Sequence, residues 1–360
     1  MRVAKVAIIG NLGEYGRALD QYCRSLVSSG LVQDVFGSDR GTNLTNQEAA
    51  ARADVVIVSV WPRVTVPVIQ EVTPVLRPNQ LIMDVTSRKV LTVRAMLESL
   101  AEVRGLHPMC KPPAGGSWRG QTIVDCPVRV SEWREWSDEW LRLTGARLKV
   151  CTPEHHDRYS DVVQRLTHAS ALVQAAVVRE EGVSIEECLE FASPVYRVVL
   201  SQMGRILAQN PALYYDIQTL DPCVIDVLRA AEREWTHFRS VIESRDEQQF
   251  LADFLASREH FGSVVVQENN ALFELLNQLM VDHFSADRVV LEVPEERDQP
   301  GILHLMTGVF LAKGINITSL RSFRVGGVVR FEFVFDRSPA SDEVQGALSL
   351  IVSEGLAIVL

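Results

Sequence analysis

The sequence predicts an α/β protein in which a doubly wound sheet is followed by an all-α segment and a ferredoxin-like α+β domain. Three observations predict this order. Apolar strands alternate with helical patterns up to about residue 150. The pattern is then continuously helical, and the end of the chain reads strand, helix, strand, strand, helix, strand. We therefore expect three domains, at residues 1–150, 151–283 and 284–360.

Composition and charge exclude several classes of protein. The net charge of −10 at pH 7, without any block of Lys and Arg, argues against a nucleic-acid partner. No apolar run is long enough to span a membrane, and the first residues do not form a signal peptide. The six cysteines are scattered without metal-ligand spacing, which is typical of reduced thiols, so we expect a cytoplasmic protein with no metal site.

The predicted strands of the first domain are continuous apolar runs, and such strands are buried on both faces of a parallel sheet. The predicted strands are 3–9, 32–37, 54–60, 81–87 and 103–107, and the predicted helices are 16–30, 46–53, 66–76 and 90–101. Because open sheets of this kind bind ligands at the carboxyl ends of their strands, we expect the functional residues to follow these strands.

A glycine-rich turn follows the first strand and opens a helix. Gly10, Gly13 and Gly16 would allow backbone N–H groups to approach a pyrophosphate, as in a Rossmann-like nucleotide-binding domain. Their spacing differs from the commoner G-x-G-x-x-G, so a plain strand–helix turn stays open as the alternative. Asp39 ends the second strand and favours NAD, whereas Arg40 could instead hold the extra phosphate of NADP.

Two polar side chains follow later strands of this sheet. Ser87 comes at the carboxyl end of the fourth predicted strand, and His107 at the carboxyl end of the fifth. A hydroxyl and an imidazole beside a nicotinamide ring could hold a substrate alcohol and remove its proton while hydride leaves. The alternative for His107 is a loop histidine that packs under a turn.

The helical segment has predicted breaks near Ser193-Pro194, Asn210-Pro211 and Asp221-Pro222. Its helices can bury their apolar faces only against one another, against the first domain or against a second subunit. Long apolar stretches such as ALFELLNQLM therefore predict a homodimer.

Several stretches, taken in order and spacing, resemble the prephenate dehydrogenase family, and most of all the branch that is fused to chorismate mutase in enteric bacteria. They are GNLGEYG, DVTSRK, GLHPM, EHHDRYSDVVQRLTH and SPVYRVVLSQMGRILAQNPALYYDI. The resemblance covers about residues 3–275. The stretches DQPGIL and KGINIT near the end of the chain resemble an ACT domain, an amino-acid-sensing module.

The resemblance implies NAD-dependent oxidative decarboxylation of prephenate to 4-hydroxyphenylpyruvate. His107 would accept the proton of the C4 hydroxyl as C4 gives up hydride. Ser87 would hydrogen-bond the same hydroxyl and the imidazole. Arg205 matches the family arginine that grips a substrate carboxylate, a role that suits a planar guanidinium.

Further pocket residues come from the helical segment. Gln164 and His168 are four apart on one helical face, so both can reach one pocket. His168 matches a family pocket histidine, and Tyr214 falls where the family often has an aromatic residue. His156 fits the family's His-Asp pair, although a helix-entry role, with Asp157 near the helix N-terminus, stays open.

Departures from the family leave alternatives open. Lys111 stands beside Cys110 where the family has other residues, and it could contact a carboxylate or simply be solvated. The substrate could be arogenate or 4-amino-4-deoxyprephenate. A non-catalytic nucleotide- and amino-acid-binding regulator is a second alternative. No chorismate mutase segment precedes the nucleotide domain, so we do not expect the chain to make its own prephenate.

The ACT-like segment predicts a regulatory site. In relatives, a loop before a helix and the entry to the second strand frame an amino-acid site between two such domains. The corresponding residues here are Asp298, Gly301, Gly314 and Asn316. We expect an aromatic amino acid such as tyrosine to bind there, although SLRSFR stands where some ACT domains have an ESRP-type continuation.

Overall fold

The structure, a computed structural model, describes residues 2–112, 117–220, 224–284 and 287–360. The predicted break at Asp221-Pro222, and Cys223, lie outside these residues. The chain divides into two compact units, each described by itself below. One comprises Met1–Val183 and Leu200–Glu243, and the other comprises Ser184–Val199 and Ser244–Leu360.

The first unit is built on a seven-stranded sheet with the order β2-β1-β3-β4-β5-β6-β7. Its strands are β1 (Ala4–Ile9), β2 (Val32–Ser38), β3 (Val55–Val58), β4 (Leu81–Asp84), β5 (Glu102–Pro108), β6 (Thr122–Arg129) and β7 (Arg147–Val150). Strands β1 to β5 are parallel, as predicted. The order changes direction between β1 and β3, which is the switch point where ligands bind in such sheets.

The prediction missed the far edge of this sheet. Strand β6 runs antiparallel to β5, and β7 is parallel to β6. Neither strand was predicted, because Asp125 and Pro127 interrupt the apolar run of β6 and β7 is exposed along its whole length.

Helices cover both faces of the sheet, which confirms the doubly wound prediction. They are α1 (Glu14–Ser25), α2 (Asn46–Arg52), α3 (Pro62–Val72), α4 (Val90–Leu97) and α5 (Arg134–Leu143). Alternate residues of β1 enter different cores: Val6 and Ile8 pack with residues of α1 and α5, whereas Ala7 and Ile9 pack with residues of α2, α3 and α4. Burial of both faces explains why β3 is apolar without alternation, whereas β1 and β2 keep exposed polar residues at Lys5, Gln33 and Asp34.

A buried ion pair lies at the carboxyl end of β4. The Lys89 Nζ is 2.6 Å from Asp84 Oδ2 and 2.6 Å from the Leu106 carbonyl oxygen. Both side chains are completely buried. Gly105 leaves room for this lysine, because a Cβ at that position would lie 3.2 Å from Lys89 Cδ. The pair therefore fastens the loop after β4 to the end of β5.

Helices after β7 complete the first unit. They are α6 (Pro153–Ser160), a π-helical segment (Asp161–Leu166), α7 (Thr167–Glu180), α10 (Pro211–Thr219) and most of α11 (Val224–Ser244). Asn210 caps α10, since its side-chain oxygen accepts a hydrogen bond from the backbone N–H of Ala212, so the predicted break at this position is confirmed.

The second unit contains exposed helices and a small sheet. Helices α8 (Ile185–Glu190), α12 (Glu247–Phe261) and α13 (Ser263–Phe284) belong to it, and α9 (Pro194–Leu207) begins in it. The predicted break at Ser193-Pro194 is confirmed. No residue of α12 or α13 is buried within the single chain, although both helices are rich in apolar side chains. Within the described residues, no helix is long and apolar enough to cross a membrane.

The small sheet confirms the predicted ferredoxin-like order. It comprises β8 (Arg288–Val293), β9 (Ile317–Val325), β10 (Val328–Phe335) and β11 (Ile358–Val359), with helices α14 (Ile302–Ala312) and α15 (Asp342–Ser353). The spatial order is β11-β8-β10-β9 and the paired strands are antiparallel. Gly326 and Gly327, with φ of 60° and 92°, form the tight turn between β9 and β10.

Candidate active site

The glycine turn after β1 requires glycine at two of its predicted positions. A Cβ on Gly10, whose φ is +89°, would lie 2.2 Å from the Ser59 carbonyl oxygen, and a Cβ on Gly16 would lie 1.9 Å from the Gly10 carbonyl oxygen. Gly13 is the N-cap of α1 and provides no side-chain hydrogen bond. The first N–H groups of α1 are therefore not capped by a side chain, which suits a bound phosphate.

The end of β2 approaches this turn. Asp39 Oδ2 accepts a hydrogen bond of 3.0 Å from the backbone N–H of Leu12, while Arg40 is exposed. The Oδ1 of Asn11 is buried without a partner among the described residues, and a Cβ on Gly37 would collide with the Asn11 side chain. The turn therefore brings together the unpaired Asn11 oxygen, the uncapped N–H groups of α1 and the Asp39 carboxylate. These groups fit the polar parts of a dinucleotide. Asn11 and Gly37 were not singled out from the sequence.

His107 lies inside β5, which extends one residue beyond the predicted strand at each end. The strand continues to Pro108, because the backbone of His107 pairs with Val124 of β6. The imidazole is 5% exposed, and its Nδ1 is 2.8 Å from Nε2 of His156. Burial, followed by the charges of His156 and Lys89, lowers the pKa of His107 well below its ordinary value. His107 is therefore a neutral imidazole near pH 7.

His156 and Asp157 lie behind His107. Asp157 Oδ1 is 2.7 Å from His156 Nδ1, and the two carboxylate oxygens accept backbone hydrogen bonds of 2.9 Å from Lys89 and Val90. Burial opposes ionisation, but the hydrogen bonds from His156 and the backbone lower the pKa of Asp157. Helix α6 begins at Pro153, so His156 lies in its first turn and Asp157 directly follows. The Asp157 carboxylate does not cap its own helix but accepts the first backbone N–H groups of α4.

A second charged network extends from the same loop. Arg88 Nη1 and Arg165 Nη1 are 3.1 Å and 2.6 Å from Asp161 Oδ1. Asp161 and Arg165 belong to the π-helical segment, a feature that often occurs at functional sites. The sequence did not reveal this network, since a π-turn has no signature that separates it from an ordinary helix.

His168, Tyr214 and Arg205 lie together, as the resemblance implied. The rings of His168 and Tyr214 have centroids 4.8 Å apart. Burial and the nearby positive charge of Arg205 lower the pKa of His168 to about 4. The Nδ1 of His168 is buried without a partner among the described residues, and Arg205 itself is exposed. A cation beside an unpaired polar ring is an arrangement that can bind an anion.

Three other predicted residues are not hydrogen-bonded to these groups. Ser87 is half-buried, Gln164 is half-buried and Lys111 is exposed. Within the described part of the chain, the side chains of these three residues make no hydrogen bond, so Ser87 is not hydrogen-bonded to the His107 ring. The hydrogen-bond partner of that ring is His156.

The predicted regulatory residues lie around α14 and β9. Asp298 Oδ2 accepts a hydrogen bond of 2.5 Å from Arg324 Nη2, and Gly301 caps α14 with φ of 97°. The Gly314 carbonyl oxygen accepts a hydrogen bond of 3.0 Å from Arg337 Nη2. Asn316 directly precedes β9 and is exposed.

A switch-point sheet with a glycine turn, and a buried neutral histidine at its carboxyl edge, define a dinucleotide-dependent oxidoreductase. Comparison with known proteins is more specific. Residues 33–147 match the family model described as "Prephenate dehydrogenase, nucleotide-binding domain", and residues 152–256 match "Prephenate dehydrogenase, dimerization domain". The chain belongs to the prephenate dehydrogenase family.

Individual relatives agree with this assignment. A probable arogenate/prephenate dehydrogenase of Methanocaldococcus jannaschii is 32% identical over 296 residues, which cover 76% of this chain and 66% of that protein. The T-protein of Haemophilus influenzae is 30% identical over 281 residues, covering 77% and 73%. The crystal structure of A. aeolicus prephenate dehydrogenase with hydroxyphenyl propionate and NAD+ shares the fold, with a TM-score of 0.55 at 17% identity over 73% of this chain and 99% of that one.

Proposed function

We propose that the chain catalyses the NAD-dependent oxidative decarboxylation of prephenate to 4-hydroxyphenylpyruvate. The observation that carries this proposal is the buried histidine His107, whose lowered pKa keeps it unprotonated near neutral pH in a member of this family. A neutral imidazole can accept the proton of an alcohol that is being oxidised. A regulator that only binds nucleotide would have no use for such a base.

The glycine turn and Asp39 would hold the cofactor. Backbone N–H groups at the start of α1 would bind the pyrophosphate, and Asp39 would accept hydrogen bonds from the ribose hydroxyls. When bound, NAD supplies the acceptor for the hydride of C4. NADP is less favoured, because Asp39 would repel a 2′-phosphate, and Arg40 is the one residue beside it that could compensate.

His107 moves one proton during turnover. It accepts the proton of the C4 hydroxyl as the C4–H bond breaks and its electron pair departs as hydride, which leaves a ring ketone. The C1–carboxylate bond then breaks, its electrons enter the ring and CO2 departs. His107 returns its proton to the phenolate oxygen, and Ser87 would orient the same oxygen.

Arg205 would bind a substrate carboxylate, with His168 and Tyr214 forming the wall of the same pocket. This role is supported by the exposed guanidinium and by its electrostatic effect on His168. His168 stays neutral at pH 7, because its pKa is about 4, so its ring can donate a hydrogen bond to the carboxylate without adding charge.

The substituent on C4 distinguishes the candidate substrates. An amino analogue carries an ammonium, which would favour a free carboxylate near C4. His107 is linked to the Asp157 carboxylate through His156. The Asp157 oxygens already accept hydrogen bonds from His156 and from two backbone N–H groups, so this carboxylate is not free to bind an ammonium. Lys111 would also repel an ammonium. Arogenate keeps the C4 hydroxyl and differs in its side chain, so it is the closer competitor, as the name of the M. jannaschii relative also suggests.

The test is to measure kcat/KM for prephenate, arogenate and 4-amino-4-deoxyprephenate side by side, with NAD and with NADP, by following NADH or NADPH absorbance. We expect the highest value for prephenate with NAD. A preference of about tenfold or more for another substrate, equivalent to about 1.4 kcal/mol, would overturn the substrate assignment. Absence of turnover with all three would favour the regulator.

Replacing Arg205 with alanine is expected to raise KM for the substrate by roughly 10–100-fold. A charge-assisted hydrogen bond to a carboxylate contributes about 1.5–3 kcal/mol and serves the ground and transition states alike, so kcat should change little. Steady-state kinetics measure both constants. Arg233→Ala, at an exposed position of α11, is the matched control and should leave both unchanged. An unchanged KM in Arg205→Ala would assign the carboxylate to another residue.

We also propose that the chain forms a homodimer through its helical segment. Helices α12 and α13 bury no residue within one chain, and part of this segment matches the family's dimerization domain. Apolar helices without any buried residue require a partner surface.

We further propose that tyrosine or a related aromatic amino acid binds the C-terminal domain and lowers activity. Asn316→Ala is expected to raise the inhibitory concentration about tenfold, the effect of one lost hydrogen bond, without changing turnover in the absence of inhibitor. Titration of activity with tyrosine measures both. If the variant stays equally sensitive, inhibition arises by competition in the active site.

A further inference from the structure

We infer that His156 and Asp157 are positioning residues that fix the proton of His107 on Nδ1 and so leave its Nε2 as the basic nitrogen. The identity of the proton that Nε2 accepts rests on the proposed function. The arrangement of protons itself follows from hydrogen-bond partners within one compact unit.

The first step concerns Asp157. Its oxygens accept the backbone N–H groups of Lys89 and Val90, each at 2.9 Å, and Arg88 Nε lies 3.5 Å away. These donors hold the side chain as a carboxylate, which can only accept hydrogen bonds. The contact of 2.7 Å to His156 Nδ1 therefore requires a proton on that nitrogen.

The second step concerns His107, because the position of the proton on His156 fixes the position of the proton on His107. Neutral His156 with its proton on Nδ1 has a lone pair on Nε2. That nitrogen lies 2.8 Å from His107 Nδ1, so the proton between the two rings must belong to His107. The Ser160 hydroxyl approaches the same nitrogen at 3.2 Å and can act as a second donor. His107 Nε2 then carries no proton and has no hydrogen-bond partner among the described residues.

The opposite arrangement is disfavoured by the surrounding charges. A doubly protonated His156 would donate to His107 Nδ1, which would move the proton of His107 to Nε2 and abolish the base. The cations that face this pair are Arg88 and Lys89, and Lys89 is neutralised by Asp84 within its own buried ion pair. In the resting state, an imidazolium on His156 would have to share the Asp157 carboxylate with Arg88, so two buried cations would contact the same anion.

The same chain of hydrogen bonds spreads the charge that forms during turnover. When the substrate O–H bond breaks and an Nε2–H bond forms on His107, this ring becomes positive. Its Nδ1 proton can then shift to Nε2 of His156, so that the positive charge lies next to the Asp157 carboxylate. This movement offsets the burial that otherwise disfavours a protonated His107.

The test compares His156→Leu and His156→Gln in the full-length chain. Leucine removes the acceptor of the His107 proton, whereas the oxygen of the glutamine amide lies where Nε2 was and can accept the same hydrogen bond. We expect His156→Leu to lower kcat by roughly 10²-fold or more with little change in KM, as for a base held in the wrong tautomer. His156→Gln should recover most of kcat.

Nitrogen-15 NMR of histidine-labelled protein reads the tautomer without any substrate. In the unmodified chain, the His107 ring should show a protonated Nδ1 and an unprotonated Nε2, and His156→Gln should preserve this pattern while His156→Leu loses it. A protonated Nε2 in the unmodified chain would overturn the inference, as would an unchanged kcat in His156→Leu. If the tautomer is as inferred but none of the three substrates is turned over, the inference stands and the proposed function fails. If the leucine variant does not fold, the NMR spectra of the unmodified chain and of His156→Gln still show which nitrogen of His107 carries the proton.

Discussion

Replacing His107 with asparagine is expected to lower kcat by roughly 10²–10⁴-fold, the usual contribution of a general base, with little change in KM. Asparagine is the informative substitution, because its amide nitrogen lies near the position of Nδ1 and can still donate to Nε2 of His156. The variant therefore keeps the contact of 2.8 Å between these residues and loses only the basic nitrogen. Formation of NADH under saturating substrate measures the effect.

The matched control is His155→Asn, one residue before His156. His155 is exposed and stacks on Tyr159 with ring centroids 4.5 Å apart, so its loss should leave kcat within about twofold. A near-normal kcat in His107→Asn would remove His107 from the mechanism.

The pH profile of the unmodified chain gives an independent check of the same residue. The base must be unprotonated, and burial lowers its pKa well below the ordinary value of about 6.5. Activity should therefore persist as pH falls through 6.5 and decline only well below it. A decline centred at the ordinary histidine value would contradict a buried neutral base.

Replacing Lys89 with methionine is expected to destabilise the fold by about 3–5 kcal/mol, the cost of leaving one member of a buried ion pair without its partner. Methionine has a similar volume, so the variant creates little cavity and isolates the effect of charge. The carboxylate of Asp84 would remain completely buried without its counter-ion. Burial already raises the pKa of Asp84, even with Lys89 present.

Urea unfolding followed by circular dichroism measures this loss. Because the unpaired carboxyl folds more readily when protonated, the destabilisation should shrink as pH falls, and the second substitution Asp84→Asn should restore much of the stability. Arg142→Met, which breaks the exposed pair with Glu139, is the matched control and should leave the free energy of unfolding almost unchanged, because solvent screens that pair. A loss of under about 1 kcal/mol in Lys89→Met would show that the buried pair contributes little.

Features with a local cause were predictable from the sequence. Strand β3 and most of β4 are apolar because both of their faces are buried, and that pattern is visible without a structure. Gly16 is required by its close approach to the Gly10 carbonyl oxygen within one turn, and Gly10 by its own φ of +89°. In β8 every second residue is buried, and β10 follows the same alternation except that Glu332 is also buried.

Features that depend on distant contacts were not predictable. His107 and His156 are 49 positions apart, and nothing in either segment indicates that their rings meet. Asp157 caps α4 across 67 positions, and nothing in its own segment indicates this contact. Strand β6 was missed because its backbone pairing with β5 stabilises a run that has polar residues and a proline.

The most direct test of the central claim is the stoichiometry of the reaction. Incubation of the chain with prephenate and NAD, followed by measurement of NADH, CO2 and 4-hydroxyphenylpyruvate, gives all three products in one experiment. The account predicts equal amounts of the three, because loss of hydride from C4 and loss of CO2 from C1 together form one aromatic ring. NADH without matching CO2, or no NADH at all, would contradict it.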